Sequence, residues 1–112
     1  MEVIATQDKE CTILALSGRM DATTTIDFDN TVQTVMKDGH TRILIDLKDL
    51  VYVSSAGLRS LLTLAKALKA AQGKLVFCSL QPMVAEVFRI SGFDRMLSVY
   101  EEREAGLAAL NG

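Results

Sequence analysis

Short aliphatic runs alternate with helical apolar stripes along the whole chain, and this alternation limits the fold more than any other feature. Val3-Ile4-Ala5 and Thr12-Ile13-Leu14-Ala15-Leu16 read as strands, and the polar Gln7-Asp8-Lys9-Glu10 link between them is short enough to require an antiparallel hairpin. Arg42-Ile43-Leu44-Ile45-Asp46-Leu47 is β-branched and mostly apolar, the pattern of a strand covered on both faces. Lys74–Ser79 and Met96–Tyr100 supply two further strands. Between these runs, Phe28, Val32, Val35 and Met36 recur at helical spacing. Leu58, Leu61, Leu62, Ala65 and Leu68 line one side of a second helix, with Arg59, Thr63, Lys66 and Ala70 opposite. Pro82 opens a third helix with Val84, Val87 and Phe88 inward, and Glu101 to Leu110 forms a fourth. Ser17–Asp21, Gly39, Gln72-Gly73 and Ser91-Gly92 are the expected loops and stops. The expectation is an α/β fold: a mixed sheet of about five strands, with an N-terminal hairpin and then parallel β-α units, packed with four helices. At 112 residues this makes a single domain spanning 1–112.

Composition narrows the function classes. Lys plus Arg is 12 against 14 for Asp plus Glu, so the net charge is 12 − 14 = −2. A general nucleic-acid binder needs a basic surface to neutralise phosphates, and none is indicated. No run approaches the ~18 apolar residues of a membrane span, and the N-terminus has no signal-peptide pattern, so a cytoplasmic location is expected. Cys11 and Cys78 sit in apolar runs and read as buried free thiols. With His40 as the one histidine, neither a metal site nor a cofactor is expected.

Val51-Tyr52-Val53-Ser54-Ser55-Ala56-Gly57-Leu58 puts two hydroxyls where a strand turns into a helix. The first N–H groups of a helix lack intrahelical partners, and a preceding side-chain oxygen satisfies one of them. The same N–H groups and the positive end of the helix dipole favour an added phosphate. The pair is therefore either a structural cap or the seat of a phosphorylation switch. Gly57 reads as a point of close backbone packing, and Asp21 or Thr23 as a cap for the helix that follows.

Leu16-Ser17-Gly18-Arg19-Met20-Asp21-Ala22, Ile45-Asp46-Leu47, the Val53-to-Leu58 run, Gln72-Gly73-Lys74-Leu75 and Ser91-Gly92-Phe93-Asp94 together resemble the STAS family, in order and over nearly the whole chain. The family includes bacterial anti-sigma factor antagonists and cytoplasmic domains of sulfate transporters. The resemblance implies a non-catalytic switch that binds an anti-sigma factor carrying a histidine-kinase-like ATPase domain and so frees the sigma factor. That partner acts as a serine kinase on the antagonist, and a serine phosphatase reverses it. The phosphorylated serine lies two positions before the glycine, hence Ser55, with Ser54 as the second candidate. Asp21, Ser54, Ser55, Gly57 and Arg59 are then the expected partner-binding residues. Many phosphorylated members have Asp directly before the serine, where this chain has Ser54. A second reading is a constitutive interaction subunit of a membrane transport or other signalling complex, without phosphorylation. An enzyme ranks last: Asp46 lies in a strand pattern and Asp49 in a turn, with no sign that they converge. The early acidic pair of an aspartyl-phosphate receiver is missing, leaving Asp46 and Lys74 as loose candidates, and His40 has no nucleophile assigned to it.

Overall fold

A computed structural model describes residues 1–112. Strands β1 (Glu2–Asp8) and β2 (Cys11–Met20) form the hairpin, followed by α1 (Thr25–Lys37), β3 (Arg42–Val53), α2 (Ser55–Ala70) and β4 (Lys74–Cys78). Then come α3 (Pro82–Ser91), the one-turn α4 (Phe93–Met96), β5 (Ser98–Tyr100) and α5 (Arg103–Asn111). The sheet order is β1-β2-β3-β4-β5, with β1 antiparallel to β2 and every later pair parallel. The expected mixed five-stranded sheet with four main helices is what the chain adopts.

The pleat explains the layers. Successive residues of β3 point to opposite faces, so Ile43 and Ile45 enter one core and Leu44 the other. The larger core gathers Phe28, Val32 and Val35 of α1, Leu61, Leu64 and Leu68 of α2, and Val84 and Phe88 of α3 against one face of the sheet. Crossovers of one hand put all three helices on that face. Phe88 meets Phe77 and Phe93 edge to face, at ring-centre distances of 5.6 and 5.7 Å. On the opposite face Leu110 of α5 packs with Cys11, Ile13, Leu44, Val76 and Cys78. Both cysteines are buried and free, and burial pushes both thiols up.

Three elements differ from their expected form. Ser17–Met20 is strand rather than loop: β2 continues to Met20, with register shifts between Ala15 and Ser17 and between Gly18 and Arg19. Asp49 lies in β3 rather than in a turn, because β3 runs twelve residues to Val53. Met96 and Leu97 precede β5 rather than belonging to it, since Phe93–Met96 closes a helical turn whose last bond runs from Leu97 N–H to Phe93 C=O. The inner stripe of α2 is also rotated. Gly57, Leu61, Leu64 and Leu68 are buried, whereas Leu58, Leu62 and Ala65 are half-buried.

Candidate partner-binding site

The site forms where β2 and β3 end together. The Ser54 N–H donates to the Met20 carbonyl at 2.9 Å, so Asp21, next after Met20, and Ser55, next after Ser54, flank one shared bond. Ser54 is extended, with φ −91° and ψ 176°, and its Oγ accepts from the Gly57 N–H at 3.2 Å. It is the cap of α2. Its carbonyl takes the first intrahelical bond, from Leu58 N–H at 2.9 Å. Ser55 therefore stands at the first helical position with its side chain exposed and no side-chain hydrogen bond in the fold. The cap thus falls to Ser54 alone and leaves the Ser55 hydroxyl without a structural bond.

Gly57 is buried, and a Cβ there would lie 2.8 Å from Val53 Cγ2 and 3.0 Å from the Met20 carbonyl oxygen. The missing side chain lets the first turn of α2 sit directly on the ends of β2 and β3. Gly57 thus shapes the face by spacing. No acidic residue occupies this first turn.

Asp21 closes the neighbouring turn. Its Oδ1 accepts from Thr23 N–H at 3.0 Å, Thr23 Oγ1 at 2.7 Å and Thr24 N–H at 3.2 Å. These donors, the Thr23 hydroxyl first, hold its carboxyl below the usual carboxylate value. Asp21 caps this turn, and the residue bordering α1 itself is Thr24, whose hydroxyl donates to Arg19 C=O at 2.9 Å instead of capping the helix. Arg19 lies over the Tyr52 ring at 4.1 Å, bracing the two strand ends on the outer side. Arg59, one turn beyond Ser55, is exposed and makes no salt bridge. It borders a groove of about 880 Å³ between α1 and α2, with Ser60 and Thr63 beside it and Phe28 and Val32 facing them from α1. Asp21, Ser54, Ser55 and Arg59 are thereby brought to one end of the molecule.

Asp46 does not join them. Its side chain is 7% exposed, and Oδ2 accepts from Arg103 Nε and Nη2 at 2.9 and 2.7 Å while Oδ1 accepts from Lys48 N–H at 2.9 Å. Asp46 anchors α5 to the sheet. Arg103 escaped sequence reading because it lies 57 positions away, with no local pattern to link the two. No group of three His, Cys, Asp or Glu side chains is placed to hold a metal ion, and no helix is long and apolar enough to cross a membrane.

A two-strand hairpin followed by parallel β-α units, with a capped helix start beside the Asp21 turn, defines a small α/β domain of mixed-sheet type. The chain belongs to the STAS domain family, whose model matches residues 2–106. It is 41% identical over 97 residues to BtrV of Bordetella bronchiseptica, whose name proposes it as an anti-sigma factor antagonist. That match covers 87% of this chain and 84% of BtrV. A Thermotoga maritima structure, described as a candidate anti-sigma factor antagonist, superposes with a TM-score of 0.93 at 16% identity, covering 98% of this chain and 95% of that one. The phosphorylated form of the Bacillus cell fate determinant SpoIIAA gives 0.73 at 22% identity, covering 93% and 96%. Likeness at these identities shows the fold.

Proposed function

We propose that this protein binds an anti-sigma factor through the face carrying Asp21, Ser54, Ser55 and Arg59, and that phosphorylation of Ser55 breaks the complex. One observation carries the reading: Ser54 supplies the cap, so the Ser55 hydroxyl is exposed and free of structural duty. The kinship with BtrV supports the choice of partner class. The anti-sigma factor is itself the serine kinase, with a histidine-kinase-like ATPase domain, and a serine phosphatase resets the switch in the cytoplasm. Ser54 stands where many such chains have Asp. Both are strong capping residues, so the exchange keeps the helix start and removes one negative charge beside the acceptor.

A phosphoserine adds about −1.5 to −2 charge. Against acidic groups of a partner this costs on the order of 2–3 kcal/mol, or roughly a hundredfold in affinity. The helix N-terminus accepts the same charge favourably, so the fold persists while the interface fails. The test is incubation with the cognate kinase and ATP, followed by mass spectrometry and calorimetric binding. Ser54→Ala should still gain one phosphate, Ser55→Ala none. Ser55→Ala should bind as the parent does, and Ser55→Glu roughly a hundredfold more weakly. A complex that forms without any phosphate incorporation would instead support a constitutive interaction subunit.

A further inference from the structure

The two edges of the sheet are finished differently. β5 is three residues long, and a very short edge offers little to pair with. β1 runs seven residues in unbroken register with β2, and its outer edge has no partner. It carries none of the usual guards: no proline, no bulge and no lysine within the strand, with charge only at its ends, Glu2 and Asp8. Ile4, near its middle, is 51% exposed. Val3 packs on the larger core, whereas Ile4 points to the other face, where α5 covers β2 to β5.

The hairpin fixes which backbone groups are free. A two-residue turn, Lys9-Glu10, joins Asp8 to Cys11, and the pair closing such a turn exchanges hydrogen bonds. Alternating back along the strand, Thr6, Ile4 and Glu2 also face β2. Val3, Ala5 and Gln7 are left directing N–H and C=O outward. A second copy related by a two-fold axis normal to the sheet would pair antiparallel, with residues of like parity opposed. Centring on Ala5 sets Glu2 against Asp8 on both sides of the axis, a like-charge clash. Centring on Val3 leaves Gln7 unused and sets Ile4 against Glu2. Centring on Ile4 opposes Ile4 to Ile4, Val3 to Ala5 and Glu2 to Thr6, so no like charges meet, and Val3 and Ala5 exchange their free bonds.

We propose that β1 pairs with β1 of a second copy, antiparallel and centred on Ile4, joining two five-stranded sheets into one. The axis reverses strand direction, so the two Ser55 ends point away from each other and both remain open. This inference is independent of what those ends bind.

Sedimentation equilibrium of the full chain, from micromolar to millimolar concentration, tests it. The parent should dimerise reversibly, and Ile4→Lys should raise the dissociation constant at least ~tenfold while retaining the parent circular dichroism. Ile90→Lys, on the exposed side of α3, should dimerise as the parent does. Register is read separately by disulfide trapping. The central pair is a non-hydrogen-bonded one, with Cα atoms about 4.5 Å apart, within disulfide reach. Ile4→Cys should therefore oxidise to a covalent dimer, whereas Ala5→Cys and Gln7→Cys should not; the buried Cys11 and Cys78 do not compete. A parent that stays monomeric throughout, Ile4→Lys dimerising unchanged, or Ala5→Cys crosslinking faster than Ile4→Cys would each overturn the proposal.

Discussion

The N-termini of α2 and α5 are both fastened to the sheet, by opposite means. α5 is held by charge: the Arg103 guanidinium forks onto the buried Asp46 carboxylate, and Gly106 brings the helix so close that a Cβ would lie 2.7 Å from Leu44 Cδ1. α2 is held without charge, by the Met20–Ser54 backbone bond, the Ser54 cap and the close seat of Gly57. A helix start whose anchoring uses no ion can receive a charge without competing with its own fastening. Where Arg103 is already committed, an added anion would draw it from Asp46. The contrast favours α2 over α5 as the seat of the proposed switch.

Substitutions can break this contrast, beginning with the strongest. Asp46→Ala strands the Arg103 charge and the Lys48 N–H; because Arg103 is half exposed, the loss should be about 2–3 kcal/mol, below that of a fully buried pair. Urea denaturation of Asp46→Ala, Arg103→Ala and the double variant measures the coupling, and strictly additive losses would show that charge does not hold α5. Gly57→Ala should cost about 1–2 kcal/mol, as overpacking against Val53 and Met20 outweighs the gain in helix propensity. A neutral result in the same denaturation assay would mean the seat is looser than its distances imply.

Ser54→Ala should lose about 1 kcal/mol, the worth of one cap. Ser55→Ala should stay within about 0.5 kcal/mol of the parent, since its hydroxyl bonds nothing. Thermal melts that ranked these two in reverse would reassign the cap and sink the division of roles between them. The smallest effect concerns Asp21. Its folded pKa lies below the ordinary value, so its stabilisation is present above that value and fades as pH falls through the depressed one. Carboxyl-carbon NMR titration should place Asp21 below the ordinary aspartate value, and Thr23→Val, which deletes the strongest donor, should bring it back up towards that value.

Much of this was legible in the chain. Arg42–Leu47 announced a two-sided strand because helices cover both sheet faces there, Ile43 and Ile45 lying in one core and Leu44 in the other. The rest of β3 was hidden by Lys48-Asp49, exposed residues that the strand tolerates because β4 has ended and only β2 remains alongside. The α2 stripe was misplaced by about one position, since its innermost residue, Gly57, has no side chain with which to signal burial. The family resemblance pointed to Ser55 by counting back from that glycine. Its freedom could not be read in this way, because which of two adjacent hydroxyls takes the Gly57 N–H depends on the backbone angle at Ser54. The Asp46–Arg103 pair depends on how the last crossover folds back, which no local pattern encodes.

The Met20–Ser54 bond works as a rivet between two loops that belong to different crossovers. A visiting protein therefore meets a contour that is already set, and little freedom has to be surrendered on contact. Encounter can then be quick, and how long the pair stays together falls to a few local repulsions. Such a surface would suit the proposed traffic among several visitors, with one small mark deciding who leaves first.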